Sequence, residues 1–446
     1  MRFPRVFQIA RSVLLVTAAA ALLACAGTSK VPVQFGPGAD VQLPEPDPSL
    51  IPTLNVAPAQ GWPSGRTPTA APGFVVTAYA KGLDHPRWLY VLPDGDVLVG
   101  ETNAPQRPDD AKGVRGWAMR KLMKRAGSAA PSANRITLLR GTNGSGGAVT
   151  RTTFLQGLHS PFGMALVGTD FYVANTDSLM RFSYHEGETQ LTGPGTKLAD
   201  LPAGPIDHHW TKNLIASRDG KHLYVTVGSN SNAGENGLAA EAGRARIIEV
   251  DPASGRARPF ATGLRNPNGM GWDPQSGALW TAVNERDELG NDLVPDYMTS
   301  VRDGGFYGWP FSYYGRHLDP RVKEQNETLV ARAIIPDYAL GSHTASLGLT
   351  FYLGRLFPAR YSGGAFIGQH GSWNRKPRSG YKVIFVPFAN GQPSGPPEDI
   401  LTGFLSDTGN AFGRPVGVAV DRSGALLVAD DVGNTVWRVT RISATQ

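Results

Sequence analysis

A unit of the form Gly-Leu-x-x-Pro-x-Gly-Met recurs along this chain, each time followed by an apolar stretch, a turn and a second short apolar run. The clearest copies are Gly157-Leu158-His159-Ser160-Pro161-Phe162-Gly163-Met164 and Gly263-Leu264-Arg265-Asn266-Pro267-Asn268-Gly269-Met270. Looser copies begin at Gly82, with His85-Pro86, and near Gly413, with Arg414-Pro415. Self-similarity of this kind marks a repeat fold, in which each supersecondary unit buries its apolar face only against its neighbours.

Two further segments, 213–227 and 347–367, keep only the strand–turn–strand half, with turns at Asp219-Gly220 and Gly363-Gly364. Short β-branched and aromatic runs parted by Asp-Gly, Ser-Gly or Gly-Gly turns read as antiparallel hairpins. About six such units of four strands each would close radially, which predicts an all-β fold, a six-bladed β-propeller with loop insertions. A large sandwich is the rival, but it does not call for the same Gly-Leu-x-x-Pro entry at several strand starts. The uneven spacing places long insertions between strands.

At 446 residues the chain suits one propeller. Its net charge of +6 is scattered, with no Lys/Arg stripe interleaved with aromatics, so no nucleic-acid partner is predicted. Arg2, Arg5 and Arg11 precede an apolar run, 13–23, that is too short to span a bilayer and is laid out as an export signal. The run ends in Leu22-Leu23-Ala24-Cys25, similar to a bacterial lipobox, and Cys25 is the chain's one cysteine. The expectation is therefore an export signal over 1–25, lipidation at Cys25 and a place in the bacterial periplasm or cell envelope, with an ordinary signal peptide as the alternative. A lone cysteine also excludes an internal disulfide framework. Residues 26–61, Pro-rich and without apolar periodicity, read as a tether, leaving 62–446 for the propeller. Within it, 113–126 reads as a short basic amphipathic helix, packed on the rim or meeting a membrane surface or electron-accepting partner.

Propeller loops converge on one end of the central channel, so polar residues from several blades can face one ligand. Four clusters qualify: Asp207-His208-His209-Trp210, Arg265-Asn266-Pro267, Gly341-Ser342-His343-Thr344, and Gly368 through His370 to Asn374-Arg375-Lys376. Their histidines fit no common local zinc signature.

With these clusters in view, the chain resembles the glucose/sorbosone dehydrogenases, periplasmic six-bladed propellers that use pyrroloquinoline quinone and calcium. The resemblance runs from about Gly73 to Thr440. It rests on His85-Pro86-Arg87-Trp88, His209 before Asp219-Gly220, Arg265-Asn266-Pro267-Asn268-Gly269, Ser346-Leu347-Gly348-Leu349 and Arg414-Pro415-Val416-Gly417. Gly308-Trp309-Pro310 and Ser372-Trp373-Asn374-Arg375 look most like the sorbosone dehydrogenase branch.

The resemblance implies oxidation of a sugar or aldose-derived aldehyde by hydride transfer to the quinone, with electrons passed to a further quinone or a cytochrome. A base is then needed for the substrate proton, and donors for the carbonyl oxygen where charge develops. His209 matches the family's base, and Arg265 and Asn266 match the groups that polarise the quinone. Glu101, His343, His370, Arg375, Lys376 and Arg414 are implied around the cofactor, whose carboxylates call for cationic partners. The family's usual second arginine falls at Phe412, and the acid that orients the base falls at Ser229, leaving Asp207 or Glu235 as substitutes. For calcium, Glu285, Asp287, Glu288, Asn291 and Asp292 offer hard oxygen ligands. A calcium-dependent propeller lactonase and a non-catalytic envelope binding propeller stand as alternatives, since fold does not fix function.

Overall fold

The computed structural model describes residues 27–47, 53–106, 121, 123–128 and 130–442. They form six blades of antiparallel strands around a central axis. The innermost strands, in chain order, are Pro86–Val91, Met164–Val167, Leu214–Ala216, Pro267–Trp272, Ser346–Phe351 and Pro415–Val420. Each opens one of the six units recognised in the sequence. Blade six is completed by Phe74–Lys81, which pairs with Thr435–Arg441 and so ties the start of the propeller to its end.

The glycine of the repeat has a steric cause. A side chain at Gly163 in blade two would strike the backbone of Leu214 in blade three, and one at Gly269 in blade four would strike Leu349 in blade five. At Gly417 in blade six the obstacle is the carbonyl of Arg87 in blade one. Adjacent inner strands thus approach through positions where no Cβ fits. The second strand of a blade is buried along its whole length, as in Val97–Glu101, Leu223–Val227, Leu279–Val283, Ala365–Gln369 and Leu426–Asp430. Between blades five and six the seam is aromatic: Phe74, Tyr352, Phe357, Tyr361, Phe366 and Phe385 pack edge-on or stacked. Such pairs add about 0.5–1.5 kcal/mol each beyond the area they bury.

Four inner strands begin with an irregular register at the same end: Pro86/Trp88, Pro267/Met270, Ser346/Gly348 and Pro415/Val418. Bulges of this kind re-aim side chains at the rim of a closed sheet. Proline as the first residue of a strand costs no ladder bond. His85, Asn266 and Arg414, each just before such a proline, are all buried at this mouth.

The described part of the expected tether is docked instead. Phe35–Pro37 adds a fifth strand to blade four against Tyr338–Leu340, and Asn55 hydrogen-bonds the carbonyl of Arg375. Just past the tether, Trp62 donates to Asp430 and Thr69–Ala70 adds a fifth strand to blade five. Docking through backbone groups and single polar side chains leaves no apolar period, which is why the segment reads as a linker. The export signal and Cys25 lie outside the described residues, as does most of the expected 113–126 helix. Residues 123–125 are helical, and Met123, Ala126, Gly127 and Ser128 border a cavity at the mouth. No helix among the described residues is long and apolar enough to cross a membrane.

Candidate active site at the channel mouth

His209 sits in the loop that leads into the inner strand of blade three. Its Nδ1 lies 2.8 Å from the carbonyl oxygen of Ser229 and 3.1 Å from its hydroxyl. The same carbonyl-rich turn is held from behind by Arg244, which donates to the carbonyls of His209 and Gly228 at 2.9 Å each and pairs with Asp207 at 2.9 Å. Glu235, a candidate orienter of the base, accepts from the backbone N–H groups of Asn232 and Ala233. A side chain at Gly228 would collide with both His209 and Asn266, so this glycine is what lets the two approach. Asn266 leaves its Oδ1 buried with no hydrogen-bond partner among the described residues. Burial first, then the charge of Arg265, holds the His209 imidazole well below its ordinary range. It is therefore neutral near pH 7.

Arg265 is close by but heavily engaged. Its guanidinium donates to the carbonyls of Asn232, Asn284 and Glu285 and to Asn232 Oδ1, and it lies 3.4 Å from Asp287. It acts as a fixed positive wall beside His209. His343 donates from Nε2 to the carbonyl of Gly290, 2.9 Å away, and its Nδ1 is 3.4 Å from Asp287. Asn374 donates to the same carboxylate oxygen, Oδ1, at 2.7 Å, while Oδ2 faces Arg265. Burial pushes the Asp287 carboxyl up, but His343, Arg265 and Asn374 outweigh it and hold it below the usual range.

A second cluster spans blades one, five and six. Asp431 accepts from Arg87 at 2.8 Å and faces His370 Nε2 at 2.9 Å, with His85 at 3.6 Å. Burial, partly offset by Asp431, lowers the His370 pKa to about 4. The Asp431 carboxyl itself is held far below the usual range: burial opposes ionisation, but the two histidines and Arg87 overcome it. Arg414 lies beside this cluster, 4% exposed, over the Tyr381 ring at 4.9 Å. These residues border a cavity of about 120 Å³, together with Asn103, Trp373 and the 126–128 turn.

Several expected site residues are placed elsewhere. Glu101 is wholly buried inside blade one, bonded to Arg135, Thr137 and the Asp84 backbone, where it joins strands and faces no ligand space. Arg375 is buried too, but its donors are taken by Asn291, Pro377, Ser29 and Val31, so it holds the N-terminal segment. Lys376 is exposed. The expected calcium ligands do not converge, because each has its own partner. Glu285 binds Arg286, Asp287 binds His343 and Asn374, Asn291 binds Gly27 and Thr53, and Asp292 binds Ser29 and Lys30. Glu288 is partly exposed in a left-handed turn. Among the described residues no three His, Cys, Asp or Glu side chains are grouped as a metal site. Sequence reasoning missed Arg87, Arg244 and Asp431. For Arg87 a signal existed: a charge directly after the opening proline of an otherwise apolar inner strand, Pro86–Val91.

A propeller whose mouth joins a neutral histidine to two clusters of buried arginine and carboxylate has the layout of a small-molecule redox or acid–base site. The glucose/sorbosone dehydrogenase family pattern matches residues 168–372, and the TrAA12-like pattern matches 313–442. The aldose sugar dehydrogenase YliI of Escherichia coli is 25% identical over 304 residues, covering 65% of this chain and 76% of that protein. The pyrroloquinoline quinone-dependent pyranose dehydrogenase of Coprinopsis cinerea is 34% identical over 297 residues, 53% of this chain but 40% of that longer protein. In fold, the calcium structure of a Trichoderma reesei carbohydrate-active enzyme of family AA12 superposes with a TM-score of 0.67 at 19% identity, over 87% of this chain and 99% of that one. Over residues 168–372 the chain is thus similar to the glucose/sorbosone dehydrogenase family.

Proposed function

We infer that this propeller is a pyrroloquinoline quinone-dependent oxidoreductase acting on a sugar or an aldose-derived aldehyde. The observation that carries the reading is His209: a half-buried, neutral imidazole with Nδ1 fixed on the Ser229 carbonyl, which leaves Nε2 to take a proton. The buried donors of Arg87 and Arg414 that lack partners fit an anionic cofactor at the same mouth. When bound, pyrroloquinoline quinone would supply the two-electron acceptor, as organic chemistry the protein itself lacks.

The chain's residues do the rest. His209 takes the substrate hydroxyl proton at Nε2. Arg265 keeps the imidazole neutral beforehand and lends positive field where negative charge grows during transfer. Asn266, held against His209 across Gly228, orients the reacting carbonyl oxygen. His370 and Arg414 line the cavity that would take part of the cofactor, and His343, set against Asp287, would face it from the Arg265 side. Calcium is proposed with the cofactor, but the five side chains expected to bind it are otherwise engaged, and no step is routed through the ion. The same dispersal supports the hydrolytic alternative less, since that chemistry gathers carboxylates around one ion.

Electrons would leave to a quinone or cytochrome, and a lipid on Cys25 would hold the protein at the cell envelope. Mass spectrometry of the membrane fraction tests the anchor: diacylglycerol on Cys25 supports it, and a mature chain starting beyond that residue excludes it. For the activity, titration of apo-protein with pyrroloquinoline quinone and calcium should show stoichiometric uptake, and added aldose should bleach the bound quinone. Uptake without bleaching across an aldose panel would leave a binding propeller.

A further inference from the structure

We propose that Arg87 and Arg414 together form a subsite for a carboxylate of the cofactor, with blade one supplying the second arginine that blade six lacks at Phe412. This rests on the reading above and adds to it the residues that hold the ligand's charge.

Each guanidinium carries five N–H groups, and leaving them unpaired away from water is costly. The other buried arginines are well supplied. Arg244 reaches four carbonyls and Asp207. Arg286 reaches Glu285, Asp319 and the carbonyls of Pro310 and Ser312. Arg375 has five acceptors. By contrast, among the described residues the Arg87 side chain makes one hydrogen bond, to Asp431, and the Arg414 guanidinium meets only the Ala57 carbonyl at 3.2 Å and the side chain of Tyr381. Both leave Nε buried with no partner among the described residues.

The two meet at one cavity. Both line the space of about 120 Å³, several times the ~30 Å³ share of a water molecule and enough for a carboxylate arm. Arg87 is 13% exposed in its side chain, and its other face lies over the Trp210 ring, beside His209. Nearby acids are already committed. Asp431 is shared by Arg87 and His370. Asp430 accepts from Trp62, Trp437, and the backbone of Arg414 and Gly433. Two guanidinium groups crowding one cavity without an acid for the second are matched by a ligand carboxylate.

The test measures binding to the full apo-chain, by fluorescence or absorbance titration, of pyrroloquinoline quinone and of its trimethyl ester. Wild type should bind the free acid much more tightly than the ester. Arg87→Ala and Arg414→Ala should each weaken binding of the acid by about 30-fold or more, as expected for truncating a buried charged partner, while ester affinity stays nearly constant. Retained ester binding also shows that the variant is folded. If Arg87→Ala binds the acid as wild type does, or if Lys376→Ala is the weakened variant, the assignment is overturned. If wild type takes up neither compound, the cofactor reading itself fails, and the subsite with it.

Discussion

Nδ1 of His209 rests 2.8 Å from the carbonyl oxygen of Ser229, a backbone partner where relatives of this fold were expected to place a carboxylate. A backbone carbonyl fixes the tautomer as a carboxylate would, but it adds no full negative charge to stabilise an imidazolium. With Arg265 and Arg244 as the charged neighbours, the ring stays neutral far into the acid range. The base is therefore ready without prior deprotonation.

Replacing His209 by Ala should leave cofactor uptake intact and lower turnover at saturating cofactor by roughly 10²–10⁴-fold. His208→Ala should fall far less. Quinone titration measures the first quantity and dye-linked turnover the second. A crippled His208→Ala beside a nearly normal His209→Ala would move the base by one residue.

Ser229→Asp should restore a carboxylate next to Nδ1. The groups now facing His209 are Arg265, Arg244 and His208, all of which lower its pKa. An added anion within hydrogen-bond reach raises it, by about 1–3 units for a close opposite charge. The acid limb of kcat/KM against pH should then shift upward by that amount. An unmoved limb in a variant of unchanged melting temperature would show that another group sets it.

The six blades were legible because sterics write them into the sequence: Gly163, Gly269 and Gly417 recur where inner strands touch. Asn266 and Arg414 stood out for a related reason, each directly before a proline that opens an inner strand at the mouth, whereas His209 precedes a unit without that motif and was singled out through the family resemblance. What sequence could not show was side-chain commitment. Arg375 and Arg414 look alike in a loop-by-loop reading, yet Arg375 spends its donors on Ser29 and Val31, far away in sequence, while Arg414 keeps most of its own. The acidic run 285–292 reads as a metal loop until each carboxylate is seen turned to a different partner.

The docked N-terminal segment gives a stability prediction. Asp292 accepts from the Ser29 hydroxyl at 2.5 Å and the Lys30 backbone at 2.7 Å, and it lies 3.3 Å from Arg375. Asp292→Ala should cost about 1–3 kcal/mol, the range for hydrogen bonds to a charged, partly buried group, and should open residues 27–37 to limited proteolysis. Lys30→Ala, which removes only an exposed pair with Asp47, should leave the melting temperature unchanged. Equal proteolysis of wild type and Asp292→Ala would mean the segment is not clasped there.

Lys212 predicts how stability changes with pH. It is wholly buried behind His209, donating to the Trp210 carbonyl at 3.0 Å and lying 3.6 Å from Asp207. Burial lowers its pKa to about 7, more than Asp207 can restore. Between that value and the ordinary lysine range the unfolded chain holds a proton that the folded chain has released. Stability must therefore rise with pH from about 7 to 9, by at most about 1.4 kcal/mol per unit. Above about pH 10 buried tyrosines reverse the trend, since burial pushes Tyr314 and Tyr338 well above the ordinary tyrosine range, so the unfolded chain loses these protons first. Lys212→Met removes the titrating group and leaves Asp207 paired with Arg244. Denaturant midpoints at pH 7, 8 and 9 should climb for wild type and stay level for Lys212→Met. The same climb in both would assign the pH dependence to a different group.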